Sequence, residues 1–327
     1  MDPPGSPAVD RGDMTTNTRT PPAAGAIEAR LAPGWMTWVP WAAGGWAVVY
    51  GYVRLWFATG HAPAWKLPSD LLISDWASVA ACVASAAAVG AVLTWPRSRV
   101  AIGVTWALAA GWVAVCAFIL LDLVAGVLPG LGIPFDVPGL MSRLGGLTGA
   151  ALLAGTALAK QRRLDPDCLR CTGLARRVSS TPRWAVAAAW VAVGGCTARL
   201  VAQAVVGLDA TPYKSDLSMV LFEAGFLLAG TALPLLLVTR LGKVFPRWML
   251  LLPGAGLGAG ITAYFGVGLI QMIVAVAQGQ PVYGDTTLPD SFFWVAVPAY
   301  LVWGTCLSIA AAGYYLRTRK PCKGCGR

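Results

Sequence analysis

The chain has 327 residues, 57% of them hydrophobic and only 12% charged, with a mean hydropathy of +0.63. That balance excludes an ordinary pair of soluble domains, in which about a quarter of the residues are charged. The formal charge of +10 would point to nucleic acid in a soluble protein, so its meaning depends on where the basic residues fall.

Residues 1–34 contain Pro, Gly, Thr and Asp and no apolar run. They can bury too little surface to offset the entropy of ordering, which predicts a disordered cytoplasmic tail. No basic segment followed by a short apolar stretch and a small-residue cleavage site is present, so no cleaved signal peptide is expected and the first span should act as its own insertion signal.

Eight apolar runs then follow that are long enough to cross about 30 Å of hydrocarbon at about 1.5 Å per helical residue. They cover approximately Trp35 to Ala58, Leu72 to Trp95, Val100 to Leu128 and Met141 to Ala159. After a basic segment come Trp184 to Leu208, Leu217 to Val238, Trp248 to Ala277 and Phe292 to Leu316. Lipid offers no partner for a free backbone N–H or C=O, and no barrel-like alternation is visible, so each run must be a helix. The expected fold class is all-α, a polytopic integral membrane protein with eight transmembrane helices.

The basic residues then become a topology signal. Of the Lys and Arg residues, 20 fall in the tail, between spans 2 and 3, 4 and 5, and 6 and 7, and after span 8, whereas Lys66, Arg143 and Lys214 fall on the opposite side. The positive-inside rule places both termini in the cytoplasm, and the membrane expected is the plasma membrane. Most of the 15 Trp residues lie near span ends, for example Trp35, Trp65, Trp95, Trp184 and Trp248, where amphipathic rings anchor at the headgroups. No nucleic-acid platform is needed to explain them.

The second four runs repeat polar features of the first at an offset near 148 residues. Trp65-Lys66 followed by Ser69-Asp70-Leu71 has a counterpart in Tyr213-Lys214 followed by Ser215-Asp216-Leu217. Arg54 matches Arg199, Asp75 matches Glu223, Asp122 matches Gln271, and Pro134-Phe135-Asp136 matches Pro281 to Asp285. Four spans per repeat make the repeats parallel, related by an axis along the membrane normal. The expected organisation is a first four-helix repeat at 35–183 and a second at 184–327.

Each repeat ends in a C-x-x-C pair, Cys168 with Cys171 and Cys322 with Cys325. Two such turns form the four-thiolate cage that zinc prefers, and a Gly following the second Cys of a pair favours that turn. About 150 residues between pairs is far beyond a compact zinc ribbon, so only the repeat brings them together. The expectation is a cytoplasmic structural zinc clasp, ahead of an iron–sulfur cluster or redox thiols. Cys82, Cys116, Cys196 and Cys306 lie within spans and read as small packing residues.

Arg54, Arg199, Asp75, Glu223 and Asp122 are the ionisable residues placed inside spans, all in the outer third of the membrane. Such residues are costly in lipid and are functional candidates by default. The plain reading is that each Arg pairs with the acid of the next helix and fixes helix register. The sharper one is that Asp122, matched by a neutral Gln271, is a surplus acid available for proton coupling. With Arg54 and Arg199 facing an anionic group, the six residues Arg54, Arg199, Asp75, Glu223, Asp122 and Gln271 would form an outward-facing polar pocket.

His61 is the only histidine and reads as a solvated interfacial residue. With no H-E-x-x-H and no G-x-S-x-G, the familiar protease and hydrolase signatures are missing. Gly254 to Gly260 resembles a dinucleotide loop only in spacing; inside a span it reads as close helix packing, as does Gly145-x-x-x-Gly149. The function expected is a transporter or permease for a small polar or anionic solute. The alternatives are a membrane-embedded enzyme on a lipid-like substrate and a non-catalytic scaffold with a cytoplasmic protein partner. The Ala- and Gly-rich composition suggests a bacterial source.

Overall fold

The computed structural model describes residues 34–67, 70–95, 97–164, 180–207, 217–282 and 288–319. Among the described residues every regular element is helical. The tail, the segments bearing Cys168 and Cys171 and Cys322 and Cys325, and the matched loop residues Tyr213 to Asp216 and Tyr283 to Asp285 lie outside them.

The first half contains α1 (Trp35–Trp56), α2 (Asp75–Thr94), α3 (Arg99–Val115), α4 (Ile119–Val127) and α5 (Val137–Leu164). The second contains α6 (Arg183–Val206), α7 (Leu217–Leu227), α8 (Leu233–Val238), α9 (Arg247–Ala277) and α10 (Asp290–Thr318). A π-helical turn over Leu228–Ala232 joins α7 to α8 in one run, Leu217–Val238. Ser74 and Ser98 cap α2 and α3, each accepting a hydrogen bond from the backbone N–H three residues on, which satisfies a donor that a helix start leaves free.

Among the described residues, five helical runs are long and apolar enough to cross a membrane: Asp75–Thr94, Arg183–Val206, Leu217–Val238, Arg247–Ala277 and Asp290–Thr318. A sixth is reached by counting α3 and α4 as one span, although they are bent by 43°. The eight continuous spans read from the sequence are therefore supported only in part. The α1 and α5 helices are 22 and 28 residues long, but neither qualifies on apolarity. The many Trp and Tyr residues of α1 and the Gly, Ser and Arg content of α5 reduce it.

Within the first half, α1 packs on α2 and α5, and α3 packs on α2 and α5. Within the second, α6 packs on α8 and α10, and α9 packs on α8 and α10. Each quartet encloses its own core, one around Trp112, Cys116 and Leu153 and the other around Trp303, Leu307 and Leu237. The halves touch where α9 meets α3 and α4 and where α7 meets the short turn Pro129–Leu131. Phe118 and Tyr264 meet edge to face across this seam, 6.1 Å between centroids.

Glycine lets these helices approach closely, as expected of both Gly-rich runs. A Cβ on Gly149 would overlap the Trp46 ring, and one on Gly145 would lie 2.6 Å from Tyr50. In α9, a Cβ on Gly254 would sit 3.0 Å from Leu237, and one on Gly258 would meet Ser308 of α10.

Candidate functional site

The deepest polar feature is a charged network in the first half. Arg54 is fully buried near the end of α1, where an unpaired charge would cost several kcal/mol. Its Nη1 donates to Asp70 and, at 3.1 Å, to Ser142 Oγ; its Nη2 donates to Asp75 Oδ1 at 2.6 Å and to Ser78 Oγ at 3.4 Å. The expected pairing of Arg54 with Asp75 is therefore present, but the tighter partner is Asp70. That residue reaches the network because the connection after α1 folds inward, burying Asp70 and Leu71.

The break between α3 and α4 accommodates the same connection. Leu72 N–H donates to Val115 O at 3.1 Å, occupying a carbonyl near the helix end, which has no i+4 partner within α3. Irregular backbone at this depth is tolerated where protein covers it. Ser142 Oγ donates to Asp70 Oδ2 at 2.6 Å, and Tyr50 OH donates to Ser142 O at 2.8 Å.

Arg143 extends the network. Read from sequence as a charge of the outer loop, it lies in α5 with no exposed surface. The helix starts at Val137, four residues before the apolar run does, because Asp136 caps it: Gly139 N–H donates to Asp136 Oδ1 at 3.2 Å. Arg143 Nη1 then donates to Asp122 Oδ2 at 2.5 Å, and its Nε to Asp70 O at 2.6 Å. Asp122 is thus not a surplus acid: it has its own cation, and both side chains are wholly buried.

Asp136, also fully buried, closes one end of the network by accepting from Lys66 N–H at 3.2 Å. A Cβ on Gly139 would lie 2.6 Å from Asp136 Oδ2 and 3.0 Å from Arg143 Nη1, so only glycine leaves room for this approach.

The second half arranges its matched residues differently. Arg199 and Glu223 line one small cavity of about 90 Å³ with Leu200, Gln203, Phe222 and Phe226. They form no ion pair with each other or with another described residue. Arg199 instead sits over the Phe226 ring at 5.0 Å and near Tyr300 at 5.8 Å, a favourable cation–π geometry. Glu223 is exposed, and so is Gln271. The six residues expected to share one polar pocket therefore do not converge: three belong to the first-half network, two to the small second-half cavity, and Gln271 to neither.

His61 stacks on Trp56 with centroids 3.8 Å apart. Cys82, Cys116 and Cys196 are buried packing residues, and Cys306 is half-buried. Among the described residues, no group of His, Cys, Asp and Glu could hold a metal; the four cysteines expected to bind zinc lie outside them.

Fold and site together define an all-helical protein whose apolar helices fit a multi-pass membrane protein. In comparisons with known proteins, the chain matches no family, no curated protein and no solved structure.

Proposed function

We propose that the chain is an eight-span plasma-membrane protein of two parallel four-helix repeats, cytoplasmic at both ends, that serves as a permease for a small polar or anionic solute. In this reading the first repeat is a rigid scaffold, and the second holds the solute at Arg199. The observation that carries it is the contrast between Arg54, neutralised by two carboxylates, and Arg199, which lines a small cavity with no counter-ion among the described residues.

Support for the repeat comes from the packing order, since α1, α2, α3 and α5 have the same neighbours as α6, α8, α9 and α10. Further support comes from a pair of positions that changed together. Asp122 and Arg143 correspond, 149 residues on (122 to 271, 143 to 292), to Gln271 and Phe292. Removing a buried ion pair as a unit avoids leaving one charge stranded.

The zinc clasp belongs to the same reading. Arg317, near the end of α10, donates to Thr181 Oγ1, just before α6, at 2.7 Å. Cys322 is five residues beyond Arg317 and Cys171 ten before Thr181, and chain extends about 3.5 Å per residue. That length of chain is enough for both thiol pairs to meet, which supports the clasp.

Reconstituted protein on a solid-supported membrane tests the permease reading, with inorganic phosphate, a dicarboxylate and phosphoethanolamine applied in turn. A solute-dependent current that Arg199→Gln removes is the expected outcome; no current with any of them counts against it. A second reading, a non-catalytic scaffold for a cytoplasmic partner, is favoured by the pairing of Arg54 and Arg143 with carboxylates in the first-half network. It predicts no current and an unchanged complex with that partner in the Arg199→Gln variant.

A further inference from the structure

Arg199 and Glu223 are opposite charges on neighbouring helices, and they stay apart. In the first half the matched residues Arg54 and Asp75 meet at 2.6 Å, so the helix geometry of such a quartet allows the contact. In the second half Arg199 is held over Phe226 and beside Tyr300. Stacking engages the face of a guanidinium and leaves the N–H groups in its plane for an acceptor. No described residue supplies one, and Nε of Arg199 is buried without a partner. Glu223 lines the same cavity and receives no donor from any described residue.

Each simple ligand leaves one of these charges unsatisfied. A lone anion would pair with Arg199 and be repelled by Glu223 across a small space, and a lone cation would meet the reverse. A group carrying both charges a few bonds apart completes both, with charge-assisted hydrogen bonds at each end. Phe222 and Phe226 on the wall suit the short alkyl link between them.

We infer, resting on the proposed binding role of this cavity, that it takes a zwitterionic end group, with phosphate or carboxylate on Arg199 and ammonium on Glu223. Phosphoethanolamine has this chemistry, as a free solute or as the headgroup of phosphatidylethanolamine. A cavity of about 90 Å³ admits a head group and not a large solute.

The test uses the full-length purified protein. In one arm, calorimetry in detergent compares phosphoethanolamine with glycerol phosphate. In the other, native mass spectrometry from nanodiscs compares phosphatidylethanolamine with phosphatidylglycerol. The zwitterion should bind at least tenfold more tightly than its anionic match in at least one arm: binding in the soluble arm marks a free solute, and binding in the lipid arm alone marks a headgroup. Arg199→Gln should weaken that binding at least tenfold. Glu223→Gln, at an exposed position and so free of a folding cost, should abolish the preference while retaining the anion. Equal binding of zwitterion and anion, still dependent on Arg199, overturns the zwitterion inference and leaves the anion site standing. Binding of neither, or binding indifferent to Arg199, overturns both.

Discussion

The Asp122 carboxylate and the Arg143 guanidinium, 21 residues apart in sequence, meet at 2.5 Å with both side chains entirely buried. Removing one member leaves the other charge uncompensated, a loss of about 3–5 kcal/mol by analogy with other buried pairs. Asp122→Asn and Arg143→Met should therefore each destabilise strongly in reversible SDS unfolding. The double variant Asp122→Gln with Arg143→Phe, which copies the residues matched in the second half, should cost clearly less than the sum of its single changes. Additive losses would contradict the pairing as the reason for burial.

Gly149 faces Trp46 so closely that any Cβ would overlap the indole. The Trp46 Nε1 hydrogen bond to Gly145 O at 2.9 Å keeps the ring from swinging away freely. Gly149→Ala should cost about 1–3 kcal/mol through overpacking, and adding Trp46→Phe should recover part of that loss. Thermal unfolding of the two variants in detergent checks both effects.

Arg317 ties three chain segments together at one end of the second half. It donates to Thr181 Oγ1 at 2.7 Å and to the carbonyls of Val238 at 3.1 Å and Thr239 at 3.1 Å. Carbonyls at the end of α8 and just beyond it have no partner within that helix. Arg317→Met keeps most of the side-chain volume and strands the acceptors, so a loss of about 2–3 kcal/mol is expected, against under about 1.5 kcal/mol for Thr181→Val, which removes a single hydrogen bond.

If the paired thiols form the proposed clasp, elemental analysis of purified protein should find one zinc per chain. Substituting Ser for Cys168 and Cys171 together, or for Cys322 and Cys325 together, should lose all of that zinc, because either pair alone supplies only half of a tetrahedral site. Retained metal in either double variant would place the zinc elsewhere.

The helical class and the order of the elements were legible because lipid forces a helix wherever a long apolar run occurs. The pairing of Arg54 with Asp75 was legible too, since both sit inside runs at matching depth. Arg143 reads as a loop charge because it stands at the edge of an apolar run, where a charge ordinarily marks the loop; the cap at Asp136 starts the helix early enough to place it more than a turn inside. Asp70 enters the sequence reading only as part of the repeated loop pattern Ser69-Asp70-Leu71, outside the spans. Nothing local announces that this connection folds inward to meet Arg54 and Val115. Asp122 looked unpaired for the same reason, its cation lying across the following loop. The separation of Arg199 from Glu223 depends on the aromatic rings of Phe226 and Tyr300, a contact that reaches across to α10 and has no sequence signature.

The measurement that bears most directly on the division of labour between the halves compares Arg54→Gln with Arg199→Gln in one preparation, scoring unfolding stability and phosphoethanolamine-dependent stabilisation together. Arg54→Gln should lower stability by about 3 kcal/mol or more, as expected for breaking a buried charge cluster. Arg199→Gln should leave stability nearly unchanged and abolish the ligand response. A ligand response that survives in Arg199→Gln, or an Arg199→Gln protein as unstable as its Arg54→Gln counterpart, would contradict a scaffold in the first half and a binding site in the second.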